Sequence, residues 1–314
     1  MLRLRRPIPL WWALCCAAAS MSLCYALWWS VTRGDAEERI LGPLVLPSPA
    51  ETFARFHSLW YDADLPENTL VSLRRVAIGF GLAVLIGVPV GVLCGCFSSV
   101  NAFFAPLTIF GRNAPMAALL FLTFALFGST TERQKYMFIF LSCVAFIVGD
   151  AAEAVRDVGS QYVDTAYTLG ANRLQVILKV LFPLALPSIF NSLRLLFGLA
   201  FGYIMLAEVV TTGGKAGGLG YILNLAETRG ANRPYIILVV LIIPAVALGI
   251  DRALYWIQRQ LFPYRYGGRG YLRRGVQAML RGGEDLKSFF FTAAPADQFP
   301  APGNGPRESA GEAR

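Results

Sequence analysis

The sequence has few charged residues and almost no histidine. Charged residues make up 15% of the 314 positions and hydrophobic residues make up 55%, whereas an average soluble domain carries about 25% charged residues. This shortage favours a polytopic membrane protein over a soluble one. His57 is the only histidine, so neither a serine–histidine–acid triad nor a histidine-based metal site is credible.

Phosphate-binding and disulfide patterns are also missing. No GxxxxGK[ST] motif occurs, and the run Gly213-Gly214-Lys215 lacks both the first glycine and the Ser/Thr, so we expect no ATP site, no other cofactor and no catalysis in this chain. The six cysteines lie in apolar stretches and are expected to be small buried hydrophobes. The net charge of +8 comes from bases concentrated at the chain ends beside apolar segments, which excludes a nucleic-acid groove.

Six apolar runs are long enough to cross a bilayer, which takes about 20 residues. They cover residues 9–31, 71–97, 102–127, 136–151, 189–211 and 235–257. The first continues past any signal cleavage point and is expected to remain uncleaved. The second is rich in glycine and should pack inside a helical bundle. Arg112 and Pro115 interrupt the third.

These runs divide the chain and orient it. We expect an N-terminal end with the first span (1–32), an external loop (33–69), a five-helix core (70–262) with an amphipathic loop at 153–187, and a tail that is first basic and then disordered (263–314). The bases at the chain ends predict cytoplasmic N- and C-termini by the positive-inside rule. The loop 153–187 then lies in the cytoplasm.

The stretch 164–187, DTAYTLGANRLQVILKVLFPLALP, differs from the spans on either side. Apolar residues at helical spacing occur before and after Gly170, which predicts two short helices joined at that glycine. Pro183 and Pro187 lead into the fifth span. Such a surface helix can rest on lipid headgroups or insert into a groove of a partner protein.

A longer motif favours insertion of this helix into a groove of a partner protein. Asp164-Thr165-Ala166, three residues, Gly170, nine residues, Val180 and then Phe182-Pro183 resembles the EAA loop of permease subunits of bacterial ABC importers. Thr165 departs most from the family's Glu-Ala-Ala. Further short motifs look like the nitrate, sulfonate, taurine and bicarbonate branch: Leu46-Pro47-Ser48-Pro49, Ser72-Leu73-Arg74-Arg75-Val76, Ala207-Glu208 and Gly218-Leu219-Gly220-Tyr221-Ile222. Arg112-Asn113-Ala114-Pro115 replaces a proline pair that is frequent in that branch.

The resemblance implies an all-α fold with six transmembrane helices in the bacterial cytoplasmic (inner) membrane. It implies two permease copies, two ATP-binding cassette ATPase subunits that hold ATP and Mg, and a periplasmic or extracellular substrate-binding protein. The solute would be nitrate, a sulfonate, taurine, bicarbonate or a similar anion. The coupling contacts to the ATPase would come from Asp164, Thr165, Ala166, Leu169, Gly170, Ala171, Arg173 and Pro183.

Some charged residues close to the spans allow two interpretations. Glu208 is expected either at the outer interface, solvated or paired with Lys215, or at a gate of the pathway. Asp150 and Glu153 are expected to be solvated charges at a helix end, and Asp251 and Arg252 to pair or snorkel. The alternative function is a secondary transporter or a membrane scaffold. A secondary transporter should show internal repeats and mid-span acids, and the sequence indicates neither.

Overall fold

The computed structural model describes residues 10–34, 39, 41–42, 45–128, 131–210, 217–228 and 233–263, and these contain helices and no strand. Residues Met1–Gln258 form one compact unit. The second unit is Arg259–Arg314, of which only 259–263 are described, so the predicted tail lies outside the described residues. The helices are α1 (Leu10–Val31), α2 (Pro49–Ala54), α3 (Phe56–Tyr61), α4 (Leu65–Cys96), α5 (Ser98–Asn113), α6 (Met116–Phe127), α7 (Glu132–Arg156), α8 (Ser160–Thr168), α9 (Arg173–Val176), α10 (Phe182–Val210), α11 (Leu219–Thr228) and α12 (Arg233–Leu261).

Five helical segments are long and apolar enough to cross a membrane, and α5 with α6 supplies a sixth span if the bent pair counts as one. Contacts fix their directions. Ser72 of α4 lies beside Glu208 of α10, and Gly95 of α4 lies beside Val155 of α7. Helices α4 and α7 therefore run parallel, and α10 runs antiparallel to both. We name the end where α4 and α7 begin the Glu208 end, and the end where α7 ends and α10 begins the loop end.

The pairing of α4 with α7 depends on small residues. Gly79, Ala83, Gly87, Gly91 and Gly95 recur every fourth residue of α4, which places them on one face of the helix. A Cβ atom added at Gly91 would lie 2.6 Å from the Cβ of Ala151, and one at Gly95 would lie 2.6 Å from that of Val155. The backbones of α4 and α7 thus approach closely, and the prediction that the glycine-rich span packs within a bundle is confirmed.

Aromatic residues fill the space between α4, α7 and α10. Phe80 of α4 meets Phe197 of α10 edge to face with ring centroids 5.3 Å apart. Phe138 of α7 and Phe201 of α10 are fully buried. Such ring pairs add about 0.5–1.5 kcal/mol beyond the area they bury, so these three helices form the core that holds the rest of the bundle.

The third apolar run is not one straight helix. Helix α5 ends at Asn113, α6 begins at Met116, and their axes differ by 102°. Ala114 and Pro115 between them are extended, because Pro115 has no N–H group and disfavours helical geometry at the residue before it. The run 102–127 is therefore a broken span with a bend in its middle.

Helix α1 contributes nothing to the core. It is apolar around its circumference, and its most apolar stretch is not buried. Among the described residues, Trp28 links it to the rest of the chain. Its Nε1 donates to the carbonyl of Pro47 at 3.0 Å, and its ring faces Phe53. The expectation that all six cysteines are buried is wrong for the three on this helix, Cys15, Cys16 and Cys24. It is right for Cys94 and Cys143, and Cys96 is half-buried.

Two short helices, α2 and α3, lie in the range expected as an external loop, and His57 belongs to α3. Ser48 and Glu51 form a capping box at the start of α2. Arg39 donates to Glu51 at 2.9 Å; this hydrogen bond and one from the backbone of Ser48 lower the pKa of Glu51. Ion pairing and capping thus order this segment outside the spans.

Candidate functional site

The loop at 153–187 folds as two short helices joined at a glycine, as the sequence predicts. Helix α8 ends at Thr168, and Gly170 follows with φ +80°. The N–H of Gly170 donates to the carbonyl of Tyr167 at 2.9 Å, and the N–H of Ala171 donates to that of Ala166 at 3.0 Å. This pair of bonds is a Schellman motif, which ends a helix at a left-handed residue.

The requirement for glycine at position 170 is conformational and not steric. No heavy atom lies within 4 Å of where its Cβ would stand. A left-handed backbone costs an L-residue roughly 1–2 kcal/mol, and least for Asn or Asp. The turn therefore selects Gly170 through its backbone angle alone.

Helices α9 and α10 are joined by an unusual segment. Asn172 caps α9 in a capping box with Gln175. The segment Ile177–Leu181 is a π-helical turn, closed by a bond from the N–H of Phe182 to the carbonyl of Ile177. Pro183 follows directly after this turn, and because it has no N–H it cannot donate to the preceding turn of the helix. The short helix α9 is thus joined to a membrane span without a flexible linker.

The loop presents large apolar side chains to the outside. Leu169 is 82% exposed, Leu174 64% and Leu178 57%. Among the residues expected to couple, Asp164, Thr165, Gly170, Arg173 and Pro183 are also exposed. Ala171 is half-buried and Ala166 is buried, so these two hold the turn together.

A cleft of about 530 Å³, lined by both apolar and charged residues, lies between this loop and the ends of α4 and α7. Its lining includes Arg156, Asp164, Tyr167 and Arg173. The loop end therefore combines exposed leucines with an adjacent cleft that carries charges of both signs.

The Glu208 end has the opposite character, because Glu208 is buried. One carboxylate oxygen accepts from Nη1 of Arg75 at 2.8 Å; the other accepts from the Ser72 hydroxyl at 2.8 Å and from the N–H of Gly220 at 3.0 Å. Arg75 also donates to Glu132 and to the carbonyl of Gly217, each at 2.8 Å. The expectation that Glu208 is solvated is wrong, and Lys215 lies outside the described residues.

Lys135 completes this group. Its Nζ lies 3.5 Å from Glu132, and its side chain is fully buried. We call Arg75, Glu132, Lys135 and Glu208 the charged quartet; two positive and two negative charges balance within it. The quartet joins α4, α7 and α10 at one end, and Gly220 adds α11.

Gly218 fits this arrangement for two reasons. Its φ is +110°, and a Cβ added to it would lie 2.5 Å from the Glu208 carboxylate. Gly218, just before α11, thus lies directly against the acid. The sequence contained a signal for this, the paired motifs around Glu208 and Gly218, but no pattern linked them to Arg75.

Two further ion pairs lie inside the spans. Asp150 of α7 binds Arg112 of α5, and Asp251 of α12 binds Arg194 of α10 at 2.9 Å. The expectation that Asp150 is a solvated helix-end charge is therefore wrong, because α7 continues to Arg156. The sequence indicated no mid-span acid, whereas Asp150 lies within α7 and Asp251 within α12. Among the described residues, no group of His, Cys, Asp or Glu could hold a metal ion.

Comparisons with known proteins agree with this architecture. Residues 87–262 match the family described as "Binding-protein-dependent transport system inner membrane component". The chain is 33% identical over 237 residues to the bicarbonate transport system permease protein CmpB of Synechococcus elongatus, covering 74% of this chain and 84% of that one. It is 28% identical over 250 residues to the taurine transport system permease protein TauC of Escherichia coli, covering 78% and 88%.

A solved structure supports the fold. An inward-facing structure of the MetNI methionine ABC transporter has a TM-score of 0.57 and 22% sequence identity, and covers 65% of this chain and 97% of that chain. The family match spans more than half of the sequence, and both named relatives are transport permeases, of which the match covers 84% and 88%. The all-α membrane fold expected from the sequence is confirmed, and the chain belongs to the inner-membrane permease family of binding-protein-dependent ABC importers.

Proposed function

We propose that two copies of this chain form the membrane pathway of an importer for a small anion, powered by separate ATPase subunits that bind the loop 153–187. The observation that carries the coupling role is the Schellman turn at Gly170, which fixes the angle between α8 and α9 and leaves Leu169 and Leu174 exposed. A groove on a partner protein suits such a rigid surface with apolar anchors. Binding to headgroups suits it less, because the segment from Asp164 to Pro183 carries only two bases, Arg173 and Lys179.

The substrate class follows from the relatives. One is named for bicarbonate and another for taurine, and both solutes carry an anionic group. We infer that this chain passes a small anion or zwitterion, delivered by a binding protein. ATP and Mg belong to the ATPase, so hydrolysis is expected there and not in the permease.

Orientation follows from the coupling role. The loop end faces the cytoplasm, and the Glu208 end faces the binding protein. Reporter fusions at Pro47 and Gly267 should then give opposite signals, since Pro47 lies near the Glu208 end and the tail is cytoplasmic. Signals from the same side would contradict this topology, and a purified complex with two different permease chains would contradict the homodimer.

The decisive experiment is a substitution series at Gly170 in the complex with its ATPase. We expect uptake to fall in the order glycine, asparagine, alanine, valine, since Asn tolerates a left-handed backbone best and a β-branched residue least. Uptake is normalised to permease abundance in the membrane.

The matched control is Gly81→Ala in α4. Gly81 is also exposed with no atom within 4 Å of its Cβ position, but its backbone is helical. We expect it to leave uptake unchanged. Full uptake with Gly170→Val would mean that the loop does not couple.

A further inference from the structure

The break between α5 and α6 lies deep in the membrane. Arg112, at the end of α5, donates from Nη2 to the carbonyl of Phe146 at 3.2 Å. At about 1.5 Å per residue, Phe146 lies roughly 21 Å from the first residue of α7 and roughly 15 Å from the last. The hydrocarbon core is about 30 Å thick. The break therefore stands near the middle of the bilayer.

This break cannot face lipid. Asn113 and Pro115 are exposed, and Arg112 is half-buried. Irregular backbone at this depth is tolerated only inside protein or along a water-filled cavity, and charged groups near the midplane point to a bundle interior or a cavity. The surface around Asn113 must therefore be wet or covered by protein.

Arg112 has unused hydrogen-bonding capacity. Within the described residues it bonds to Phe146 and Asp150, in both cases through Nη2. Its Nε is buried and has no hydrogen-bond partner there. A guanidinium has five N–H donors, so Arg112 can bind another acceptor while Asp150 holds it in place.

Two further contacts orient the guanidinium. It stacks over the ring of Phe146, 5.5 Å from the centroid, and it lies on the backbone of Gly149, where an added Cβ would be 2.5 Å from Nη2. Arg112 also lines a cavity of about 170 Å³ with Asn101, Thr108, Glu153 and Arg156. A water molecule takes about 30 Å³ of liquid, so the cavity has room for a small oxyanion with some of its water.

We propose that Arg112 binds the anionic group of the solute where α5 breaks, with Asp150 as the residue that positions it. The proposal rests on the proposed function, namely anion import through this chain. Arginine suits this role because its planar fork matches an oxyanion and it stays charged at every physiological pH. The paired Asp150 keeps the empty site neutral, so a solute that also carries an amine can bind both partners.

The test uses the complete complex in proteoliposomes with bicarbonate, taurine and nitrate as probes. We expect Arg112→Gln to lower uptake of the transported probe by about tenfold or more, since a charge-assisted hydrogen bond is lost. Arg112→Lys and Asp150→Asn should be intermediate, because each keeps a positive charge at position 112 but holds it less firmly. Binding-protein-stimulated ATP hydrolysis should persist in Arg112→Gln, which separates lost solute binding from lost coupling.

The double variant Arg112→Gln with Asp150→Asn separates binding from structure. If the ion pair only stabilises the fold, removing both charges leaves no unpaired group and should restore uptake. The proposal predicts that uptake stays low, and recovery to the wild-type rate would overturn it. A wild-type complex that imports none of the three probes would instead count against the proposed function.

Water access supplies an independent check. In a variant with Cys15, Cys16 and Cys24 changed to serine, Asn113→Cys should react with a membrane-impermeant thiol reagent. Leu107→Cys on the same helix should not, because Leu107 is exposed but lines an apolar cleft. Equal lack of reaction at both positions would show that the break is dry and would overturn the proposal.

Discussion

The two ends of the bundle invert the usual distribution of polar and apolar groups. At the Glu208 end, Arg75, Lys135 and Glu208 are buried and balanced by one another and by Glu132. At the loop end, Leu169 and Leu174 are exposed on a rigid turn. Burying charge is costly unless it is paired, and exposing leucine forgoes hydrophobic stabilisation.

The difference separates internal stability from association. The charged quartet satisfies its groups within the chain, so the Glu208 end is complete by itself. The leucines at the loop end have nothing to cover them within the described residues, which is what a docking surface requires. Substitutions at the Glu208 end should therefore lower stability, whereas substitutions at the loop end should weaken association with the ATPase.

Glu208→Ala should give the largest effect on stability. It leaves Arg75 with half of its counter-charge and exposes the hydroxyl of Ser72 and the N–H of Gly220 to an empty space. Breaking a buried pair costs about 3–5 kcal/mol, so we expect little folded protein in the membrane. The measurement is the abundance and thermal midpoint of the purified chain. Glu67→Ala is the control, because Glu67 is an exposed acid near the same end; equal midpoints for the two variants would refute the idea that burial matters here.

Gly218→Ala should destabilise less. The methyl group meets the Glu208 carboxylate in a backbone conformation that side chains rarely adopt, which costs about 1–3 kcal/mol. Gly198→Ala is the matched control, because no atom lies within 4 Å of its Cβ position in α10. Thermal midpoints in detergent should fall for the first variant and stay level or rise for the second; a level midpoint for Gly218→Ala would contradict the close fit over Glu208.

Glu51→Gln tests the solvent-exposed ion pair between Arg39 and Glu51 at the Glu208 end. Its expected cost is below about 1 kcal/mol, because the side chain is 41% exposed and solvent screens the pair. Since folding lowers the pKa of Glu51, the pair stabilises above the unfolded-state pKa, and this contribution is lost as pH falls through the folded-state pKa.

The midpoints of wild type and Glu51→Gln should therefore differ slightly at neutral pH and converge in acid. Glu67→Gln serves as the control, because Glu67 is another exposed acid near this end and forms no ion pair among the described residues. This variant should show no such convergence. A difference for Glu51→Gln that persists in acid would exclude the ion pair as its cause.

Leu174→Ser should change stability least, within about 0.5 kcal/mol, because the side chain is exposed. Its effect should appear in association: less ATPase subunit should co-purify with the permease. Lys179→Ser removes an exposed polar side chain from the same segment and should leave co-purification intact. If both variants retain the ATPase equally, the leucine surface is not the docking site.

Local patterns predicted the loop well. The glycine between two groups of helically spaced residues was sufficient to place the turn at Gly170, because a helix end and its left-handed residue are encoded within a few positions. The glycine-rich face of α4 was readable for the same reason. Composition also predicted the number of apolar runs.

The contacts between residues far apart in the sequence could not be predicted from it. Ser72 and Arg75 are separated from Glu208 by 136 and 133 residues, and no local spacing indicates that they meet. Asp150 was misplaced because polarity rises at the end of its run while the helix continues to Arg156. Hydropathy did not predict the bend between α5 and α6, because a hydropathy profile carries no information about the direction of a helix axis. Pro115 lies at the position of the bend.

The π-helical turn at Ile177–Leu181 sets the rotational phase between α9 and α10. It accommodates one residue more than an α-helical turn, and each residue corresponds to about 100° of rotation. The side of α9 that points outward is thus offset by roughly that angle from the side that an unbroken helix would present. Deleting one residue from this turn would restore a continuous α-helix and rotate Leu174 away from its present direction, so the permease would insert normally yet lose uptake; a deletion variant with full uptake would show that the phase is unimportant.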